Sequence, residues 1–205
     1  YTSAFRLWRL RRQWLVPYSY RGEGKLTVEL VGPLIRVNGQ VVGIDLFGLK
    51  PPRAVALIRE HRATLQTVLW HRATRFAPGI VTALGRLKPR SLTLSLFGYR
   101  GSAATAKALD PLRGQIQALI IGGSYPDGVV PRFDGLGELY LLSGGIPSRE
   151  AVAISRWPRL KRLYHGPDNE QYSGRLGVQY DIEAIRKSRT PRSFASLLRV
   201  AMHQY

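Results

Sequence analysis

The chain has no cysteine and only one methionine among its 205 residues. Disulfide bridges and thiolate metal sites are therefore excluded, and nothing in the sequence indicates an oxidising compartment. Long hydrophobic runs are also missing. The best candidate, Gly114–Pro126, is shorter than the roughly 20 apolar residues that a membrane-spanning helix needs. The sequence thus predicts no transmembrane span.

Motifs that carry catalysis or hold a cofactor are absent too. The sequence contains no HExxH or CxxC spacing, no Walker-type phosphate loop and no G-x-S-x-G nucleophile elbow. Its four histidines are scattered along the chain, and neither His61 nor His71, ten residues apart, has an acidic neighbour at ligand spacing. We therefore expect no catalytic residue, no metal and no cofactor, and we interpret the protein as non-enzymatic.

Acidic residues are scarce, since 13 Asp and Glu face 31 Lys and Arg and give a net charge of +18. Most of the bases are arginines, whose planar guanidinium pairs with phosphate or carboxylate through two parallel hydrogen bonds. Such an excess is self-repelling unless an anionic partner offsets it. We expect this partner to be RNA, with an acidic protein subunit or anionic lipid headgroups as alternatives.

The basic residues are densest towards the two termini of the chain. The first acidic residue is Glu23, and six bases lie within residues 1–25. An arginine-rich start without acids resembles the edge of a mitochondrial presequence, so we expect a mitochondrial location on the matrix side; a basic tail of other origin is the alternative. The residues predicted to bind RNA or another anion are Arg6, Arg9, Arg11, Arg12, Lys161, Arg162, Arg186, Lys187, Arg189 and Arg192.

A short pattern, apolar-x-x-apolar-x-apolar, recurs six times at intervals of 20 to 26 residues. Each alternating run predicts a short strand, and the stretches between the runs have helical spacing. The runs occupy residues 41–46, 65–70, 91–96, 116–121, 136–141 and 160–165. The predicted helices between them span 53–62, 76–87, 102–112 and 148–157.

This pattern resembles the leucine-rich-repeat family in its strand–helix form over residues 41–166. The style and size are similar to the small mitochondrial leucine-rich-repeat proteins, which include ATP synthase coupling factor B and the distal membrane-arm assembly proteins. The asparagine ladder of the family is absent, so the resemblance is to a degenerate member. It implies an α/β fold, a short leucine-rich-repeat-like solenoid of parallel strands and helices. The alternative is an ordinary α/β domain with a parallel sheet.

Both ends of this stack need covering, because terminal repeats cannot bury both of their faces. We expect a basic N-terminal extension over 1–25 and a single domain over 26–205. An Asn38-Gly39 turn predicts a hairpin between 34–37 and 40–44, which would cap the first repeat. A helix within the C-terminal cap, residues 181–205, is expected to cover the other end.

The resemblance also implies that the residues between the apolar positions line a concave sheet face. Many of them are apolar or aromatic, and an exposed apolar strip is typical of a protein-binding surface. The alternative is that another part of the chain, such as residues 1–25, covers this face. The residues predicted to bind protein are Phe47, Leu69, His71, Phe97, Ile120, Tyr140, Leu142 and Tyr164.

Two functions follow from these patterns. The first is a structural subunit of a large mitochondrial ribonucleoprotein, most of all the mitochondrial ribosome, bound through the arginine-rich ends. The second is a protein-binding accessory subunit of a respiratory or ATP synthase complex, bound through the concave face.

Overall fold

The computed structural model describes residues 27–71, 77–97, 107–122, 132–141, 154, 157–165 and 178–181. These residues form a mixed α/β fold with one nine-stranded sheet, whose strands lie side by side in chain order. The strands are β1 (Val28–Val31), β2 (Leu34–Val37), β3 (Gln40–Asp45), β4 (Thr67–His71), β5 (Leu92–Phe97), β6 (Ile116–Gly122), β7 (Glu138–Leu141), β8 (Arg162–His165) and β9 (Val178–Asp181). The helices are α1 (Pro51–Glu60) and α2 (Pro78–Leu84), and a 3-10 turn spans Asp110–Leu112.

The first three strands form an antiparallel unit built around the predicted turn. Asn38 and Gly39 have φ of 50° and 81°, the left-handed backbone that a two-residue hairpin turn requires at both central positions. The Asn38 side chain accepts a hydrogen bond from the Thr27 backbone N–H at 3.1 Å. The hairpin between β2 and β3 is therefore confirmed, and β1 adds a further antiparallel strand outside it.

Strands β3 to β8 are parallel, and each pairs with its predecessor in the chain. All six predicted strands are present, although their bounds shift by one or two residues from the pattern. The register brings the middle apolar position of every run into one line across the sheet. That line consists of Ile44, Val68, Leu94, Leu119, Leu139 and Leu163.

The helices pack on the face that carries this apolar line. Connections between parallel strands are almost always right-handed, so a sheet whose strands follow chain order receives its helices on one face. Leu57 and Ile58 of α1 and Ile80 and Leu84 of α2 are buried in one core with Trp70 of β4. Burial of such side chains stabilises the fold by about 1.5–3 kcal/mol each.

Both helices begin at a proline, which suits the first helical turn because its missing N–H has no partner there. α1 lies two residues earlier than predicted, and α2 is shorter at both ends. Of the third predicted helix, 102–112, residues 107–112 are described: 107–109 are α-helical and Asp110–Leu112 form a 3-10 turn. This turn contains Pro111, whose ring does not fit the interior of an α-helix. Of the fourth, 148–157, only residues 154 and 157 are described.

The C-terminal side of the sheet differs from the expectation. β9 pairs antiparallel with β8 and continues the sheet, where the sequence predicted no strand. The predicted cap at 181–205 lies outside the described residues except for Asp181, and the extension at 1–25 lies outside them entirely.

Gly43 of β3 lies between the side chains of Ile35 on β2 and Thr67 on β4. A Cβ atom at this position would lie 2.9 Å from Ile35 Cδ1 and 3.2 Å from Thr67 Cβ, on the strands to either side. Because both neighbours are buried and branched at Cβ, we expect Gly43→Ala to lower the free energy of unfolding by about 1–3 kcal/mol. Urea denaturation followed by circular dichroism measures this change.

Gly79→Ala is the matched control, because Gly79 stands in the first turn of α2 with only Val55 nearby, at 3.6 Å. Alanine is the better helix former, so this variant should gain about 0.5–1 kcal/mol. Equal stabilities for the two variants would contradict the packing described at Gly43.

Candidate anion-binding edge

Parallel strands begin at the same edge of a sheet, so the turns that precede β4 to β8 lie next to one another. We call these turns the start edge; they comprise residues 61–66, 85–91, 113–115, 132–137 and 157–161. Backbone hydrogen bonds join neighbouring turns directly. Arg90 N–H donates to Gly114 O at 3.0 Å, and Lys161 N–H donates to Gly137 O at 2.8 Å. The start edge is thus part of the hydrogen-bonded framework of the sheet.

The start edge carries nearly all of the unbalanced charge in the described part of the chain. Among the described residues, the start edge holds eight arginines and lysines and a single acid, Asp134. The remaining described residues hold six bases and six acids, so they are neutral in sum. The bases of the start edge are Arg62, Arg86, Lys88, Arg90, Arg113, Arg132, Arg159 and Lys161.

Two of these bases are matched within the chain. Arg113 lies 3.2 Å from Asp134, and Arg132 donates two hydrogen bonds to Asp110, at 2.6 and 2.8 Å. Both pairs are partly exposed, so each contributes little to stability. The pairs leave most of the positive charge of the start edge uncompensated by any described acid.

A groove of about 460 Å³ opens between the turns before β4 and β5. Three cations line it, namely Arg62, Lys88 and Arg90, and no acid does. Uncharged hydrogen-bonding side chains complete the lining, from Gln66, Ser91 and Gln117. A concave site with several cations and neutral donors is suited to phosphate oxygens, which accept hydrogen bonds from both kinds of group.

Arg90 reaches this groove from an unusual backbone conformation. Its φ is 53°, in the left-handed region that glycine and asparagine adopt readily and arginine does not. Such a conformation costs on the order of 1 kcal/mol for a residue with a Cβ atom. Strain of this kind is typical of functional sites.

The density of bases along the chain did not predict this edge as a unit. Of its residues, only Lys161 was among those predicted to bind an anion. The signal was nevertheless present, because a base stands two to five residues before the β4, β5, β6 and β8 strands. Combining the repeat with charge at equivalent positions would have predicted the edge.

The other predicted anion-binding residues divide into two groups. Arg162 is described, and its guanidinium lies 3.3 Å from Glu138 on the neighbouring strand. Those outside the described residues are Arg6, Arg9, Arg11, Arg12, Arg186, Lys187, Arg189 and Arg192.

The sheet face opposite the helices is where the protein-binding surface was expected. The predicted row is present in register, since Asp45, Leu69, Ser95, Ile120 and Tyr140 align across five strands. Its expected exposure is wrong, because all five residues are at most 6% exposed. The alternative, that another part of the chain such as residues 1–25 covers this face, stays a prediction, because those residues lie outside the described part of the chain.

The residues predicted to bind protein accordingly differ in solvent exposure. Leu69, His71, Ile120 and Tyr140 are buried, whereas Phe47 is 40% exposed. Leu142 lies outside the described residues, as do the side chains of Phe97 and Tyr164.

A buried carboxylate–histidine pair lies on this face where β3 and β4 end. His71 Nε2 is 3.2 Å from Asp45 Oδ1, and both side chains are at most 7% exposed. The same carboxylate oxygen accepts the Phe47 N–H at 2.9 Å, which closes a turn after β3. The Phe47 ring packs edge-on against the imidazole at 5.3 Å. These contacts fasten the end of β3 to β4.

Glu138 is the second buried carboxylate on this face. It accepts a hydrogen bond from the Tyr140 hydroxyl at 2.8 Å and lies against Arg162, and it is itself 1% exposed. The charge of Arg162 therefore offsets that of a buried acid. Arg162 has a structural role that the sequence reading, which assigned it to an external anion, did not include.

Among the described residues, no group of three or more histidines and acids is arranged to hold a metal ion. Within the same part of the chain, neither helix is both long and apolar enough to cross a membrane. Comparisons with protein-family models, curated proteins and solved structures each found no match to this chain.

The contact between Arg162 and Glu138 predicts that substitution of Arg162 lowers the free energy of unfolding much more than substitution of the nearby Arg159. Arg162→Gln should lower the free energy of unfolding by about 1–3 kcal/mol, because it leaves a buried carboxylate without its cation. Arg159→Gln, at an exposed position on the turn before β8, should change this free energy by less than about 0.5 kcal/mol. Urea titration of both variants tests this, and equal effects would contradict the structural role of Arg162.

Proposed function

We propose that this protein is a non-catalytic structural subunit of a large mitochondrial ribonucleoprotein, in the first place the mitochondrial ribosome. The observation that carries the proposal is the separation of charge, with eight bases and one acid on one edge of an otherwise neutral described part of the chain. Electrostatic contact with RNA phosphates needs a surface of this kind and no reaction chemistry. The arginines near both termini, which are predicted to bind an anion, would add to the electrostatic attraction for RNA.

We further propose that β3 to β8 are the repeats of a degenerate leucine-rich-repeat-like solenoid. The alignment of equivalent apolar positions over six consecutive parallel strands supports this assignment. The packing of α1 and α2 into one core on one sheet face supports it too, because stacked repeats bury a continuous core. A solenoid suits a structural subunit, since its edges present long rows of equivalent side chains.

The alternative proposal is a protein-binding accessory subunit of a respiratory or ATP synthase complex. Its motivation was an exposed apolar face, and of the predicted residues on that face Leu69, His71, Ile120 and Tyr140 are buried, whereas Phe47 is exposed. The start edge would then bind acidic subunits or anionic lipid headgroups instead of RNA. RNA dependence distinguishes the two proposals.

Gradient fractionation of mitochondrial extract, with the protein located by mass spectrometry, is the direct experiment. The ribonucleoprotein proposal predicts co-sedimentation with ribosomal particles, and loss of that position after RNase treatment. Co-purification with a membrane-extracted complex that survives RNase would support the alternative and contradict the first proposal.

Binding of the purified chain to single-stranded RNA should depend steeply on salt. If six bases contact phosphates, the logarithm of affinity falls with the logarithm of salt at a slope of about −4. The affinity then decreases roughly 300-fold between 50 and 200 mM salt. Fluorescence anisotropy with labelled oligouridylate measures the slope, and an affinity independent of salt would contradict an electrostatic RNA contact.

A further inference from the structure

We infer that the start edge is a linear binding track for the phosphate backbone of a single nucleic-acid strand, which lies across the β-strands. The inference rests on the proposed function and narrows it, because it assigns the contact to one surface and sets its length. The starting observation is that bases occur on all five adjacent turns before β4 to β8. Those of the turns before β6 and β7, Arg113 and Arg132, are ion-paired with Asp134 and Asp110.

The length of the track follows from sheet geometry. Neighbouring strands lie about 4.8 Å apart, so the four steps from β4 to β8 span about 19 Å. Successive phosphates of an extended single strand are roughly 6 Å apart, further than the roughly 3.4 Å rise per nucleotide along a duplex axis. A strand lying along the edge therefore places about four phosphates beside these turns.

The groove between the turns before β4 and β5 is the anchor of this track. Arg62, Lys88 and Arg90 converge there from two adjacent turns, so one or two phosphates would meet three cations. Among the described residues, none of these three side chains makes an ion pair within the chain. Their charge is therefore available to a ligand, in contrast with that of Arg113 and Arg132.

Arg90 gives an independent reason to assign function to the groove. Its left-handed backbone would be less strained with glycine, so packing alone does not favour arginine at this position. The Arg90 N–H is bonded to Gly114 O, and the Ser91 hydroxyl donates to Lys88 O at 2.7 Å. The turn that presents the two bases is thus held in shape before a ligand arrives, which lowers the entropy cost of binding.

The linear arrangement favours a nucleic-acid strand over a membrane surface. The charges follow one edge of the sheet, whereas a bilayer presents anionic headgroups over a plane. The opposite edge supplies two exposed bases where α1 begins, Lys50 and Arg53. They are the matched control for experiments on the track, because their removal changes the net charge equally.

The experiment compares two double variants of the full chain, Arg62→Gln with Arg90→Gln and Lys50→Gln with Arg53→Gln. Binding to oligouridylates of three, six and twelve nucleotides is measured over a salt series. The track predicts that the first double variant reduces the salt slope by about 1.4, for two lost single-strand phosphate contacts. If the affinities of variant and wild type are equal at 1 M salt, the first double variant binds roughly 25-fold more weakly than the wild type at 0.1 M. The control variant should lose less than about threefold.

The dependence of affinity on the length of the oligonucleotide is the second readout. Affinity should rise steeply from three to six nucleotides and little from six to twelve, beyond the statistical gain from additional registers. A continued steep rise beyond six nucleotides would overturn a track that holds about four phosphates. Equal affinities and slopes for the two double variants would overturn the assignment of the contact to the start edge, and so would a wild-type chain that binds none of the oligonucleotides.

The same variants are tested on vesicles containing phosphatidylserine. Loss of vesicle binding by the first double variant, without loss of oligonucleotide binding, would overturn the nucleic-acid track in favour of lipid headgroups.

Failure of the track is distinguishable from failure of the proposed function. If the two double variants bind oligonucleotides equally well and the wild-type chain still co-sediments with ribosomal particles, only the track is wrong. If the edge binds oligonucleotides but the chain shows no RNase-sensitive co-sedimentation, only the ribonucleoprotein assignment is wrong.

Arg90→Gly separates lost contact from lost folding. Glycine relieves the left-handed backbone, so this variant should unfold at a higher urea concentration than the wild-type chain and yet bind hexauridylate more weakly. A variant that is more stable and binds equally well would contradict a role for Arg90 in the track.

Discussion

The fold depends on one packing constraint, the burial of an apolar line that runs across six parallel strands beneath the helices. Ile44, Leu94 and Leu139 are members of this line, and each is at most 1% exposed. A slip of one residue in any strand would exchange its two faces and place polar side chains in this core. The burial of the line therefore fixes the register, and the register fixes where every turn of the start edge lies.

Charge placement follows from the same constraint. Strands in chain order with right-handed connections bring the turns before the parallel strands to one edge, so bases that precede successive strands form a row. The turn before β5 holds three bases, and the other turns hold one or two each. They form a row because successive turns lie about 4.8 Å apart along the edge. The order of the parallel strands and the candidate anion-binding edge are in this sense one feature.

The sequence predicted the local structure well where periodicity and turn chemistry agreed. The six strands and the Asn38-Gly39 hairpin were predictable, because alternation and left-handed turn residues are local signals. The burial of Leu69, Ile120 and Tyr140 was not, because it depends on atoms distant in the chain. The pairing of Arg162 with Glu138 was missed for the same reason, since 24 residues separate two side chains that the register makes neighbours. Charge density along the chain pointed to the termini, whereas spatial adjacency creates the row on the start edge.

The most direct test of the central claim is to locate the RNA on the protein. Ultraviolet cross-linking of the full chain to a labelled oligouridylate, followed by peptide mass spectrometry, gives the contact residues without any substitution. The account predicts cross-links to the turns 61–66 and 85–91, with weaker ones towards 157–161. Cross-links confined to residues 1–25 and 182–205 would contradict it.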